Sequence, residues 1–201
     1  MPKPKRRVVV LAATVCAGVL AVVLLVTAFG GSGGGNVTYI GGNTNAVLYT
    51  AGHQPKAPDF SGTTLTGSRL GLAEYRGDVV VLNFWGSWCP PCRAEATTLA
   101  FAAQQYHSAG VRFLGVDVRD NTPGALDFLH SHHITYPSVS DPDDTITLDF
   151  SSVVPIADTP STLVIDKTGH IAGAVFGEVS YQELTTLLGK VTAGKSGSAN
   201  D

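Results

Sequence analysis

Two apolar patterns run along this chain. One is a single unbroken stretch: positions 8–29 hold only Val, Leu, Ala, Thr, Gly, Phe and Cys16, with no charge among them. A bilayer-spanning helix needs about 20 such residues, whereas the apolar core of a cleavable export signal is shorter, about 7–15. The stretch therefore predicts a retained membrane helix. A removed signal is the competing reading, because Ala28-Phe29-Gly30 passes as a cleavage site. The other pattern is a series of short runs. Val79 to Phe84 is a β-branched run of the buried-strand kind. Pro90 to about His107 places Leu99, Ala102, Ala103 and Tyr106 at helical spacing and stops at Gly110. Val111–Val118 predicts a second strand, and Pro123–His133 a second helix with proline at its start and Leu126 and Leu129 on one face. Ser161–Ile165, the turn Lys167-Thr168-Gly169 and Ile171–Phe176 read as a hairpin, and Tyr181–Val191 as a closing helix. The order β-α-β-α-β-β-α predicts an α/β fold. Its central mixed sheet is parallel at first, closes in an antiparallel hairpin and carries helices on both faces.

Composition divides the chain further. Gly30-Gly31-Ser32-Gly33-Gly34-Gly35 has nothing to bury and reads as a flexible tether, continuing through Gly41-Gly42-Asn43 to residue 55. Residues 194–201 are rich in Gly, Ser and Asn and read as a disordered tail. The expected organisation is a basic start and anchor over 1–29, a linker over 30–55, one folded domain over 56–193 and a tail over 194–201. Lys3, Lys5, Arg6 and Arg7 precede the apolar stretch and stay in the cytoplasm, so the folded domain faces the extracytoplasmic side. The formal net charge is −3, and setting aside those four cations leaves the rest at −7, which argues against a nucleic-acid surface. Cys16 reads as a small apolar residue of the membrane helix; the apolar stretch does not end there, as it would before a lipid-bearing cysteine.

Candidate chemistry sits at one place. With 3 cysteines the chain is no disulfide-rich scaffold, but two of them form Trp88-Cys89-Pro90-Pro91-Cys92 where the first buried strand turns into the first long helix. A helix N-terminus presents unpaired N–H groups and a partial positive charge, which favour thiolate over thiol. Prolines suit the first turn, whose N–H groups lack helical partners anyway. The spacing also lets the two sulfurs join without remaking the backbone. A zinc site would need further ligands, for which His130, His132 and His133 are the available set. A purely structural disulfide would close a loop too small to constrain the unfolded chain much. Redox chemistry is the preferred reading.

The segment Asn83-Phe84-Trp85-Gly86-Ser87-Trp88-Cys89-Pro90-Pro91-Cys92-Arg93-Ala94-Glu95 resembles the active-site segment of thioredoxin-like proteins, in the exported, membrane-tethered TlpA/ResA/DsbE branch. Ala57-Pro58-Asp59-Phe60, Leu72-Ala73-Glu74-Tyr75-Arg76-Gly77-Asp78 and Asp158-Thr159-Pro160-Ser161-Thr162-Leu163-Val164-Ile165-Asp166 accompany it in family order, so the similarity covers roughly residues 56–192. The resemblance implies a thioredoxin-like fold with a short insertion, Asp141 to Val154, before the strand that follows a cis-proline. It implies Cys89 as the exposed attacking thiolate and Cys92 as the buried resolving thiol. Pro160 would be the cis-proline, with Thr159 offering backbone groups to an extended substrate and Trp88 covering the site. Pro155 is a rival for the proline position. Asn83 departs from cytosolic thioredoxin, whose aspartate there assists proton transfer. Glu95 would act near the dithiol, against the alternative that it merely complements the helix dipole. Trp85 reads as core and Arg93 as a solvated side chain.

The expected activity is extracytoplasmic thiol–disulfide exchange with no cofactor and no metal. The partners would be protein thiols and disulfides and a membrane or exported redox protein. Reduction of partner disulfides, as in cytochrome c maturation, is preferred over disulfide donation. A different class of function would be a copper chaperone holding Cu(I) on the same dithiol plus a histidine, His170 being the nearest candidate after the third strand. A peroxidase reading is weaker, because such sites need one cysteine in a different loop context.

Overall fold

The computed structural model describes residues 36–40, 43–156 and 159–194. The expected anchor over 1–29, the glycine tract at 30–35, Asp158 and residues 195–201 of the tail lie outside them. Among the described residues no helix is long and apolar enough to cross a membrane.

The sheet grows from the run that is apolar on both faces. Strand β5 (Val79–Trp85) is buried at every position and lies between β6 (Val111–Val118), parallel to it, and β8 (Ser161–Ile165), antiparallel to it. Seven strands align in the order β1-β2-β9-β8-β5-β6-β7, with β7 at Ser138–Asp141 and β9 at Ile171–Phe176. Val80, Leu82 and Phe84 point into one apolar layer and Val79 and Val81 into the other, the two-residue alternation of a strand covered on both sides. Helices α1 (Pro90–Tyr106), α2 (Thr122–Ser131) and α4 (Tyr181–Thr192) cover the second face, with Leu99, Phe128, Leu184, Leu187 and Leu188 turned inward. Helix α3 (Thr145–Ser151) covers the first through Ile146 and Phe150.

The folded part begins earlier than its composition suggests. Residues 37–49, expected as tether, form β1 (Val37–Ile40) and β2 (Asn43–Tyr49), and β2 pairs antiparallel with β9. Ala46 and Leu48 reach one layer and Val47 the other, an alternation that the neighbouring glycines and asparagines obscure. Gly173 of β9 is what admits the pairing. A Cβ there would stand 3.0 Å from the Val47 carbonyl oxygen and 2.5 Å from a Leu187 methyl.

Three further differences have local causes. Ser138-Val139-Ser140-Asp141 carries one apolar residue, too weak a pattern to read as a strand, yet it closes the sheet edge beside β6. The segment 141–154, expected as a short insertion, is folded and carries a helix. Asp141 accepts the N–H groups of Ile146 (3.0 Å) and Thr147 (2.9 Å) and starts α3, whose Phe150 packs edge-on against Phe84 at 5.4 Å and Phe60 at 5.9 Å. On α2 the buried face is Ala125 and Phe128, and Leu126 is 40% exposed, because Phe128 stacks on Trp85 and fixes the helix rotation. A small hairpin, β3 (Ser61–Thr63) and β4 (Arg69–Gly71), leans on β7 through a bridge from Thr64 to Val139.

Phe150 has no exposed surface and joins the layer beneath β5, so Phe150→Ala is expected to cost about 3–5 kcal/mol. Leu148→Ala, about half a turn away on the exposed side of α3, is expected to stay within about 0.5 kcal/mol. Denaturant unfolding of the two variants checks both.

Candidate active site

Strand direction brings the site together. β5 and β6 are parallel, so their C-terminal ends, Trp85 and Val118, lie on one edge of the sheet. β8 runs the other way and begins at that edge, with Ser161 paired to Phe84. The loops leaving β5 and β6 and the residues entering β8 therefore meet, carrying the cysteine pair, residues 119–121 and the Thr159–Pro160 dipeptide.

Cys89 caps α1 with its sulfur. Pro90 and Pro91 fill the first two helical positions and have no N–H, so the first donor the helix offers belongs to Cys92. That N–H points at Cys89 Sγ from 3.2 Å. The two cysteines are joined as a disulfide, with Cα atoms 5.3 Å apart. Both are 2% exposed, which corrects the expectation of an exposed Cys89 beside a buried Cys92. In the disulfide form Cys89 turns its sulfur inward over the helix end and lies 3.6 Å from the Thr159 carbonyl oxygen.

The Thr159–Pro160 peptide bond is cis, as the resemblance implied for Pro160, and Pro160 is buried. Its carbonyl accepts the Gly177 N–H at 2.9 Å, which ties the start of β8 to the end of β9. The Thr159 hydroxyl is buried without a partner among the described residues.

Glu95 lies one helical turn beyond Cys92 and is 1% exposed. One carboxyl oxygen accepts from Asn83 Nδ2 at 2.8 Å, and the other from the Val179 N–H at 2.8 Å. Asn83 also donates to the Thr162 hydroxyl at 3.0 Å, so one amide links α1 to β8 beneath the cysteines. Burial pushes the Glu95 carboxyl up to about 7, its two hydrogen bonds oppose that, and the charge of Glu178 adds to it. This excludes an exposed carboxylate that only complements the helix dipole.

Trp88 is 47% exposed, and the contacts that hold it lead to β6. Its indole N–H donates to the Val118 carbonyl at 3.1 Å, and the Arg119 guanidinium stands 5.7 Å from its ring centre. Gly86 makes room for it: a Cβ there would come within 2.5 Å of the indole nitrogen. Trp85 is core, as expected, and donates to the Ser138 hydroxyl at 3.2 Å. Arg93 is exposed but not free, since its guanidinium holds the Ser87 carbonyl at 2.8 Å.

The metal-binding alternatives lose their geometry. His130, His132 and His133 fall at the C-terminal end of α2, where His132 packs on the Phe128 ring at 4.3 Å and shares a cavity with Ser87 and Arg93. His170 sits where β8 turns into β9, the far end of β8 from Pro160, and meets Thr168. Among the described residues no group of three or more His, Cys, Asp or Glu side chains is arranged to hold a metal ion.

Sequence reasoning missed two acidic residues at the end of β6. Asp117 is 1% exposed and Asp120 accepts the Ser87 N–H at 2.5 Å. The sequence marks Asp117 only as an acid between Val116 and Val118, and its burial follows from the position of β6 inside the sheet.

Comparison with known proteins agrees with this geometry. The AhpC/TSA family model matches residues 54–174. The thiol-disulfide oxidoreductase ResA of Geobacillus kaustophilus is 34% identical over 128 residues, 64% of this chain and 71% of that protein. A DsbF homologue from Corynebacterium diphtheriae superposes with TM-score 0.68 at 31% identity, covering 76% of this chain and 97% of that one. A secreted thiol-disulfide isomerase from Corynebacterium glutamicum superposes with TM-score 0.70 at 28% identity, over 78% and 96%. With a thioredoxin-like sheet, a Cys-X-X-Cys pair capping its first long helix and these relatives, the chain belongs to the AhpC/TSA family and is a thiol–disulfide oxidoreductase of ResA/DsbE type.

Proposed function

We propose that this chain reduces disulfides of partner proteins on the extracytoplasmic side of a membrane, cytochrome c precursors being one such class, with residues 1–29 as its anchor and 30–35 as its tether. The observation that carries the chemistry is the Cys92 N–H aimed at Cys89 Sγ. After reduction the same N–H and the helix dipole stabilise a thiolate at Cys89 more than a thiol. The Cys89 thiolate attacks a partner disulfide and forms a mixed disulfide, and one partner sulfur leaves as thiolate. Cys92 then gives up its proton and attacks Cys89 Sγ, and the second partner sulfur leaves. The partner gains two electrons and two protons, and the Cys89–Cys92 disulfide is restored.

In this reading Glu95 takes the Cys92 proton. Near neutral pH it is partly ionised, and it sits one turn along the same helix face. Asn83, which cannot titrate, holds it in place. Thr159 and Pro160 line the approach to Cys89, where an extended partner segment can pair with the Thr159 backbone. Trp88, half exposed beside them, offers that segment an aromatic surface. The anchor reading is supported by the uncharged stretch 8–29 behind four cations, and the extracytoplasmic side by the C. glutamicum structural neighbour, a secreted protein.

Disulfide donation is the competing direction, favoured by the Dsb-type structural relatives. The potential of the pair decides between them. Equilibrated against glutathione, it is expected near the thioredoxin end at about −270 mV, whereas a value near the DsbA end at about −120 mV would reverse the proposed electron flow.

Cys92→Ser is expected to abolish turnover of insulin disulfides and to trap partners on Cys89 as mixed disulfides, read by mass spectrometry. Trapping through position 92 in Cys89→Ser instead would reverse the two roles. For Glu95 the sign is fixed by its raised pKa. The folded protein keeps a proton that the unfolded chain has lost between pH 4.5 and about 7, so stability falls as pH rises through that window. Glu95→Gln is expected to flatten that part of the stability profile and to remove an inflection near pH 7 from the alkylation rate of the reduced cysteines. An alkylation profile identical to that of the unsubstituted protein would leave Glu95 with a structural role only.

A further inference from the structure

A second carboxyl group is buried at the same edge of the sheet, and nothing in the exchange reaction uses it. Asp117 lies on β6 directly across from Trp85 of β5 and Ser140 of β7, 1% exposed, and neither of its oxygens receives a donor among the described residues. The group within hydrogen-bonding reach of it is another carboxyl, Asp120. Both Asp120 oxygens are already occupied: one accepts the Ser87 N–H at 2.5 Å and the other the Asn121 N–H at 2.7 Å. Asp117 is buried and Asp120 half-buried, and two carboxylates held this close repel unless they share a proton. Asp120 is the acceptor in both of its bonds, so a shared proton would sit on Asp117 and be donated to Asp120.

Ser87 is two residues before Cys89, and its peptide is gripped from both sides, by Asp120 at the N–H and by Arg93 at the carbonyl. The next side chain, Trp88, is fastened to Val118, the residue after Asp117. We propose that Asp117 and Asp120 form a one-proton latch on the Gly86–Trp88 loop, making Asp117 a positioning residue for the cysteine pair. While the proton is present, Asp120 stays on Ser87 and the loop is held against the end of β6. When Asp117 releases the proton to solvent, two negative charges face each other in a buried site. Asp120 swings away, the Ser87 N–H is freed, and Trp88 loosens over the approach to Cys89.

Among the described residues, the other charged groups nearby are engaged elsewhere. Arg119 points away, ion-paired with Asp144 at 3.2 Å and set over Trp88. Arg93 is engaged with the Ser87 carbonyl. Asp141 on β7 is turned to the N–H groups of α3. On α2, Asp127 is exposed and His130 and His132 lie in the last turn or beyond it. From β5 and β7 the residues in register, Trp85 and Ser140, carry no charge. Burial and the Asp120 charge together push the Asp117 carboxyl up to about 7, so the latch opens within the neutral range.

The test uses the full-length protein in detergent with the disulfide intact, so that no thiol titrates. Acrylamide quenching of tryptophan emission reports mainly on Trp88, because Trp85 is 2% exposed against 47% for Trp88. Quenching is expected to increase through a transition centred near pH 7. The rate of disulfide reduction by dithiothreitol, corrected for its thiolate fraction, is expected to rise over the same range. Asp117→Asn and Asp120→Asn should each abolish the quenching transition, because neither variant can set two negative charges face to face, and should leave in the reduction rate only the part that Glu95 contributes. Glu95→Gln should leave the quenching transition in place. A transition that survives in Asp117→Asn or in Asp120→Asn, or that disappears in Glu95→Gln, overturns the latch. The functional consequence rests on the oxidoreductase reading. The quenching arm does not, so a failure of the latch and a failure of the activity are told apart.

Discussion

The site depends on a shortage of hydrogen-bond donors at the start of one helix. The first turn of any helix leaves its N–H groups without intrahelical partners. In α1 two of them are absent outright, because prolines occupy positions 90 and 91. The first N–H that the helix presents is that of Cys92, and the cap that meets it is the sulfur of Cys89 rather than the usual hydroxyl or carboxylate. Proline content, cysteine spacing and helix polarity are thus one constraint. A residue with an N–H at position 90 or 91 adds a competing donor, and moving either cysteine removes the sulfur from the cap.

Around that helix end the protein buries two carboxyls on opposite sides, and the sheet explains why they do not interfere. Glu95 reaches β5 and β8 through Asn83 and Thr162, while Asp117 stands on β6 behind Trp85. Each is raised to about 7 chiefly by burial, yet their hydrogen bonding differs. Glu95 receives two N–H donors, which stabilise its charged form, and so is built to gain and lose a proton in place. Asp117 receives none and faces a carboxylate, so losing its proton must rearrange what surrounds it. One group is suited to passing a proton and the other to converting a proton into movement.

The sequence made the central architecture legible because its strongest signals coincide with it. Val79–Phe84, Val111–Val118, Ser161–Ile165 and Ile171–Phe176 are mainly apolar runs, each bounded on at least one side by Gly, Pro or Asp, and each is a strand at or within one residue of those limits. The cysteine pair was legible for the same reason: a strand end, two prolines and a helix start leave little freedom. What escaped was set by tertiary contacts. β1 and β2 lie in a glycine- and asparagine-rich stretch and exist because β9 has an open edge to pair with. β7 has one apolar residue and is held by β6 and by the hairpin at Thr64. The inward face of α2 was misjudged because Leu126 is the more hydrophobic choice, whereas the aromatic stack of Phe128 on Trp85 sets the rotation.

The acids at 117 and 120 show where such reading stops for a physical reason. Hydrophobic periodicity treats an acid in a strand as a solvent-facing position, and Val-Asp-Val is the pattern of an exposed edge. β6 is instead an interior strand, covered by helices on both faces and flanked by β5 and β7. The side chain that should have met water meets a second carboxyl. Whether an acid in such a run is surface or buried follows from strand order, and strand order here turns on the weakly patterned β7. Had β6 been the edge, Asp117 would be solvated and Asp120 would hold Ser87 at every pH. By covering that edge, β7 makes the grip on Ser87 depend on a proton.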